Sequence, residues 1–150
     1  MKDIVIKKAR LTEYKRIKEV QKKGYGKVIW GYYALAVGHM VLGAREYIIH
    51  YKGKPVGFIQ YNRTGLSTRH IINICFYPEY QGLGLGGKAM DWLKDKCLED
   101  NVENITLEVR ETNEPAKALY KKQGFIEVGR KKCYYKDTGE DALTMKYTSL

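Results

Sequence analysis

The run Gln81-Gly82-Leu83-Gly84-Leu85-Gly86-Gly87 constrains this chain more than any other stretch. It follows an apolar, strand-like segment, Ile71-Ile72-Asn73-Ile74-Cys75-Phe76, and leads into helical spacing from Lys88 to Leu98. Four glycines within six residues leave backbone N–H groups bare at a helix N-terminus, where the helix dipole favours anionic oxygens. Strand, glycine loop and helix in that order predict a cradle for a pyrophosphate. The spacing does not match GxGxxG, which argues against a dinucleotide site.

The 150 residues suit one domain, 1–150, with a sizeable core. A hydrophobic content of 44% beside 29% charged residues is that of a soluble globular chain, and no apolar run reaches the roughly 20 residues of a membrane span. The start, Met1-Lys2-Asp3-Ile4-Val5-Ile6-Lys7-Lys8, is too short and too charged for a secretory leader. Cys75, Cys97 and Cys133 are odd in number and lack CxxC spacing, and His39, His50 and His70 are scattered. These features predict reduced thiols, a cytoplasmic location and no metal site.

The net charge of +10 is concentrated early, in Lys2, Lys7, Lys8, Arg10, Lys15, Arg16, Lys18, Lys22, Lys23 and Lys27. It recurs at Lys121, Lys122, Arg130, Lys131, Lys132 and Lys136. A solvated, solubilising surface and attraction to a polyanion (a polyphosphate cofactor, RNA or a ribosome) both fit. No RNA-binding module accompanies the charge.

No repeat or linker divides the chain. Asp3 to Ala9 alternates as a strand. Thr12 is positioned to cap a helix through about Lys23, with Tyr14, Ile17 and Val20-Gln21 at helical spacing and Gly24-Tyr25-Gly26 as its break. Tyr32 to Leu42 reads as a second helix. Glu46 to Tyr51, the turn Lys52-Gly53-Lys54-Pro55 and Val56 to Tyr61 read as a hairpin. Arg69 to Tyr77 is a strand, Ile105 to Val109 another, and Asn113 to Gln123 a helix with Pro115 in its first turn and Gly124 at its end. Phe125 to Tyr135 and Ala142 to Tyr147 are strand-like around Asp137-Thr138-Gly139. The order predicts a mixed sheet with helices on its faces.

Gln81, Gly84 and Gly86 fit Gln/Arg-x-x-Gly-x-Gly/Ala, and in this the chain resembles the GNAT superfamily of N-acetyltransferases. Leu107-Glu108-Val109-Arg110-Glu111-Thr112-Asn113, then Ala118-Leu119-Tyr120 and Gly124-Phe125, are similar to the RimI-type ribosomal-protein alanine N-acetyltransferases. So are Arg130-Lys131-Lys132-Cys133-Tyr134-Tyr135 and Glu140-Asp141-Ala142. The resemblance runs from about Ile71 to Met145; before it, only the order of elements agrees. It implies a single-domain GNAT fold of the α/β (α+β) class, a central, mixed, mostly antiparallel sheet with helices on both faces. It implies acetyl-CoA as cosubstrate, with the main chain of Ile74, Cys75 and Phe76 along the acetyl and pantetheine arm. Gln81 and the loop Gly82, Leu83, Gly84, Leu85, Gly86 and Gly87 would hold the pyrophosphate, and Asn113 would touch the cofactor. Glu108 would be general base and Tyr120 general acid. Gly87 stands where relatives usually carry Arg or Lys, and Gly82-Leu83 replaces a polar pair, so phosphate binding leans on backbone amides and neighbouring lysines. Phe76-Tyr77 also departs from a small aliphatic residue followed by Asp.

The residue types suit that chemistry. An amine attacks a thioester only when neutral, and an α-amine (pKa about 8) loses its proton more readily than lysine (about 10.4). A strand carboxylate can accept that proton, directly or through water, and a tyrosine hydroxyl can return one to a thiolate. Strand N–H groups can stabilise the developing oxyanion. The expected activity is therefore direct acetyl transfer, in a ternary complex, to a protein N-terminal α-amine. Lysine, an aminoacyl-tRNA or a small amine are alternative acceptors, and a non-catalytic CoA- or RNA-binding module is the rival of another class. Tyr32-Tyr33 and the Tyr134-to-Asp141 loop are expected to face the acceptor. Monomer and homodimer are both open.

Overall fold

The computed structural model describes residues 3–26 and 43–149. Its strands are β1 (Ile4–Lys8), β2 (Arg45–Tyr51), β3 (Lys54–Arg63), β4 (Thr68–Phe76), β5 (Asn104–Arg110), β6 (Ile126–Tyr135) and β7 (Glu140–Thr148). They order in one sheet as β1-β2-β3-β4-β5-β7-β6. The β4–β5 ladder is parallel, whereas β1–β2, β2–β3, β5–β7 and β6–β7 are antiparallel, so the expected mixed, mostly antiparallel sheet stands. The described helices are α1 (Tyr14–Tyr25), α2 (Leu85–Glu99) and α3 (Glu114–Lys122). A parallel pair needs a crossover, and α2 supplies it between β4 and β5. None of these helices is long and apolar enough to cross a membrane. The chain divides into two compact units, Met1–Arg63 with Ile72–Ala89, and Thr64–Ile71 with Met90–Leu150.

In the first unit, Tyr14, Ile17 and Val20 form the apolar stripe of α1 and pack with Ile48 of β2, Phe58 of β3 and Cys75 of β4. Thr12 does not cap this helix. It lies within a single 3-10 turn, Leu11–Glu13, where the Arg10 N–H donates to the Glu13 carboxylate at 3.0 Å. The helix does end within Gly24-Tyr25-Gly26, and the residue that ends it is Gly26, at φ 73°, with α1 running on to Tyr25. Gly24 is required by proximity instead: a Cβ there would stand 2.4 Å from Cys75 Sγ and 2.7 Å from the Phe76 carbonyl oxygen. The helix expected over Tyr32–Leu42 lies outside the described residues. The β2–β3 turn is tighter than expected, with Lys52 and Gly53 both at positive φ, the conformation that suits a two-residue hairpin. Beneath α1, the buried Glu46 carboxylate accepts the Tyr14 hydroxyl at 3.2 Å and Gln60 Nε2 at 3.1 Å, and Asn73 of β4 donates to Gln60 Oε1 at 3.1 Å. That polar network joins α1, β2, β3 and β4.

In the second unit, β5 alternates. Ile105, Leu107 and Val109 are buried and lie opposite Tyr147, Met145 and Leu143 of β7. Thr106, Glu108 and Arg110 project from the other face. Asn113 caps α3 by accepting Ala116 N–H at 3.2 Å, and Pro115 sits in the first turn. Gly124, at φ 83°, closes the helix, with Phe125 N–H donating to the Tyr120 carbonyl at 2.9 Å.

Candidate active site

Within the first unit, the site is the C-terminal end of β4 and the loop that follows. The β4–β5 ladder runs from Thr68↔Asn104 to Ile71↔Leu107, and β4 continues to Phe76 beyond it. The Ile74 carbonyl accepts the Tyr25 hydroxyl at 2.9 Å, and the Phe76 carbonyl accepts Gln81 Nε2 at 3.2 Å. Cys75 is buried beside α1, and burial pushes its thiol up to about 11, against smaller opposing hydrogen bonds. It stays a neutral thiol, a packing residue and a poor nucleophile.

After a 3-10 turn at Pro78–Tyr80, Gly82 and Gly84 adopt φ values of 74° and 73°. Among the described residues nothing lies within 4 Å of where their Cβ atoms would stand, so backbone conformation demands glycine here, not crowding. Leu83 is exposed and Leu85 is buried, which anchors the loop to the unit. The helix starts three residues earlier than expected, at Leu85, so Gly86 and Gly87 belong to its first turn. Leu85 and Gly86 come before the first i→i−4 bond of the helix, which Lys88 N–H makes to the Gly84 carbonyl at 3.3 Å, and two left-handed glycines before a helix start shape a concave nest. Gln81 serves to tie this nest to the end of β4.

Within the second unit, Glu108 of β5 is nearly buried, with a side chain 9% exposed, and it is gripped from two sides. His70 Nε2 lies 2.9 Å from Oε2, and Lys131 Nζ lies 2.8 Å from Oε1. Burial works to raise the carboxyl, but hydrogen bonds and charge from His70 and Lys131 outweigh it and bring it down to about 2. The other ring nitrogen, His70 Nδ1, is 2.9 Å from Thr106 Oγ1. A neutral imidazole donating to Glu108 would accept that hydroxyl, and a protonated one would donate to it.

Tyr120 is buried in α3 and its ring meets Phe125 at 5.8 Å, which in turn meets Tyr147 at 5.7 Å. Tyr147 shares the Ile105 face of β5, so this ring cluster covers the face opposite Glu108. No hydrogen bond joins Tyr120 to Glu108 among the described residues. Burial, with a smaller contribution from Tyr135, raises the Tyr120 hydroxyl well above its ordinary value, which keeps it protonated at neutral pH. The Tyr135 hydroxyl is itself pushed up to about 12, chiefly by burial, with Arg110 opposing. The Arg110 guanidinium lies 3.9 Å from the Tyr135 ring centre, and its Nη2 donates to both carboxylate oxygens of Asp137 at 3.0 Å. Arg130 holds Glu111 and Asp141, so the Tyr134-to-Asp141 segment is fixed to the end of β5 by two arginines. Tyr32 and Tyr33 lie outside the described residues.

Sequence reasoning passes over His70, Thr106 and Lys131. Thr106 and Glu108 stand two apart on one strand and therefore share a face, a signal the sequence does contain. His70 and Lys131 reach them only through strand pairing.

The profile of the acetyltransferase (GNAT) family matches residues 38–125. An N-alpha-acetyltransferase of Sulfurisphaera tokodaii is 32% identical over 157 aligned residues, covering 96% of this chain and 92% of its own. A [ribosomal protein bS18]-alanine N-acetyltransferase of Haemophilus influenzae is 41% identical over 86 residues, covering 55% of this chain and 58% of its own. The chain thus spans little more than half the length of the bacterial relatives it matches, the share being 55% for one from Bacillus subtilis. The crystal structure of the ribosomal-protein-S18-alanine N-acetyltransferase from Escherichia coli superimposes with a TM-score of 0.86 at 26% identity, over 97% of this chain and 93% of that one. The chain belongs to the acetyltransferase (GNAT) family.

Proposed function

We propose that this chain is an acetyl-CoA-dependent N-acetyltransferase of protein N-terminal α-amines, with residues 1–150 working as one domain. The observation that carries this reading is the ionised Glu108 carboxylate, held by His70 and Lys131 on the strand that leads directly to the Asn113 cap and the Tyr120 helix. The relatives' names add support, since they specify α-amine and ribosomal-protein alanine acceptors.

The first unit fits the cofactor. Two left-handed glycines open on a helix start, with space where side chains would stand, and that suits a pyrophosphate. Gln81, Gly82, Leu83, Gly84, Leu85, Gly86 and Gly87 would hold it, and the main chain of Ile74, Cys75 and Phe76 would line the arm. Asn113 Oδ1 is engaged by its own helix, so the Nδ2 donor is the group it would offer. Acetyl-CoA supplies, when bound, an acetyl group activated as a thioester. Glu108 draws the incoming amine, takes the proton the amine sheds on attack and, because its carboxyl lies far below the ordinary range, hands it on to solvent. That division of labour favours an acceptor that is readily neutral, and an α-amine near 8 meets it better than a lysine near 10.4. Tyr120 keeps its hydroxyl proton through neutral pH and is the donor for a thiolate leaving group.

A thiol-release assay with a free-N-terminus peptide and its blocked, lysine-containing twin tests the proposal. Transfer to the first alone is expected, with Glu108→Gln and Tyr120→Phe each lowering kcat by about a hundredfold or more. Transfer to neither peptide, or variants equal to wild type, would overturn it. Equal transfer to both would move the acceptor to lysine.

A further inference from the structure

Charge in this molecule is divided unevenly. Residues 1–63 and 72–89 contain 15 of the 27 Lys and Arg but only five of the 17 Asp and Glu, which is the entire net charge of +10. Residues 64–71 and 90–150 contain 12 of each and are neutral. In the neutral unit Arg69, Arg110, Lys117, Arg130 and Lys131 all sit in ion pairs. In the basic unit Arg16 pairs with Glu13 and Lys23 with Glu19. The side-chain cations of Lys7, Lys8, Arg10, Lys15, Lys18 and Lys22 form no ion pair among the described residues.

Three of these cations are ordered into a row. Lys15, Lys18 and Lys22 fall at i, i+3 and i+7 of α1, along the flank of the buried stripe beside Tyr14, with Lys15 and Lys22 exposed. At 1.5 Å per residue the row spans about 10 Å. Where the chain enters that helix, Lys8 and Arg10 line an open hollow of about 420 Å³, with Ala9, Leu11 and Tyr14. We propose that this basic face, the α1 row together with the Lys8–Arg10 hollow, binds the phosphate backbone of a nucleic acid. Clustered unpaired cations repel one another, and a polyanion relieves that repulsion while releasing its own counterions. A protein partner would instead need a contiguous apolar centre, and among the described residues this face offers only Leu11 in the hollow and Tyr25 at the far end of the row, more than three helical turns apart in sequence. The inference does not depend on which amine the enzyme acetylates.

The experiment measures binding of a fluorescent single-stranded RNA to the full chain across a salt series, with duplex DNA and polyglutamate as further arms. Wild type is expected to bind RNA with log K falling linearly against log salt. Lys15→Glu with Lys22→Glu should weaken binding by about tenfold or more at low salt and flatten the slope by about 1.4, at about 0.7 per lost phosphate contact. Lys121→Glu with Lys122→Glu removes the same charge from exposed positions of the neutral unit and should leave affinity within about twofold. Unchanged peptide turnover and acetyl-CoA KM in both double variants would show folded enzyme and exclude a role in gathering cofactor. Comparable salt slopes on RNA and duplex DNA would support a backbone contact. Equal losses in the two double variants, no binding of RNA, a raised acetyl-CoA KM in Lys15→Glu/Lys22→Glu, or tighter binding of polyglutamate than of RNA would each overturn the proposal.

Discussion

Glu108 is a carboxylate whose charge is kept and whose basicity is given up. His70 and Lys131 each take one of its oxygens, and together they outweigh the burial that would otherwise protonate it. Lys131→Met should therefore move the Glu108 carboxyl from about 2 toward its ordinary value near 4.5, with His70 still in place. An NMR titration of the glutamate side-chain carboxyls reads this directly, and an unmoved Glu108 would show that Lys131 does not govern it. Glu108 itself is legible in the sequence, because it stands in a run of family-like residues. His70 is not, and reads there as one of three scattered histidines. Its partners Thr106 and Glu108 become neighbours only when β4 and β5 pair in parallel. Register of that kind is fixed by tertiary packing and leaves no trace in local spacing.

At the scale of elements, what can be read is what local chemistry decides. The Asn113 cap, Pro115, the Gly124 stop and the β5 alternation all stand where the sequence places them. Gly24 looks like a helix breaker in the sequence because its true cause is a contact with Cys75 and Phe76, far along the chain. Gly24→Ala should destabilise the fold by about 1–3 kcal/mol through overpacking of α1 on β4. Gly26→Ala, where φ is 73° and no atom of the described residues lies within 4 Å, should cost only about 1 kcal/mol of left-handed strain. Equilibrium denaturation of both variants separates them, and equal losses would refute the close approach. Gly84→Val places a β-branched residue at φ 73° and should abolish acetyl-CoA binding, as measured by calorimetry. Wild-type affinity in that variant would detach the loop from the cofactor.

For the whole molecule, acid is the condition to examine. The Glu108, Glu140 and Asp141 carboxyls all lie below their ordinary values, each with hydrogen bonds or cations favouring the charged form. A carboxyl whose folded pKa is depressed contributes stability above the unfolded pKa and loses it as pH falls through the folded value. Stability should thus decline between about pH 5 and pH 2, with Glu108 accounting for up to about 3 kcal/mol. Urea melts across that range are the check. A flat acid limb in wild type, or an unaltered one in Glu108→Gln, would contradict the assignment. A separate consequence arises at the rim of the sheet. Strand β6 is its outer edge, exposed along nearly its whole length, and it presents Ile126, Val128 and Tyr134 to solvent. A straight strand of that kind would be a template for other chains. Its register is interrupted between Glu127 and Gly129 and again between Lys131 and Tyr135, where Cys133 has a φ of 50°. Deleting Lys132 and Cys133 together removes the two residues by which β6 exceeds β7 there and should produce an enzyme prone to polymerise, seen as rising light scatter with growing β-sheet signal. The irregularity that follows Lys131 would then be what keeps one copy of the protein from zipping onto the next.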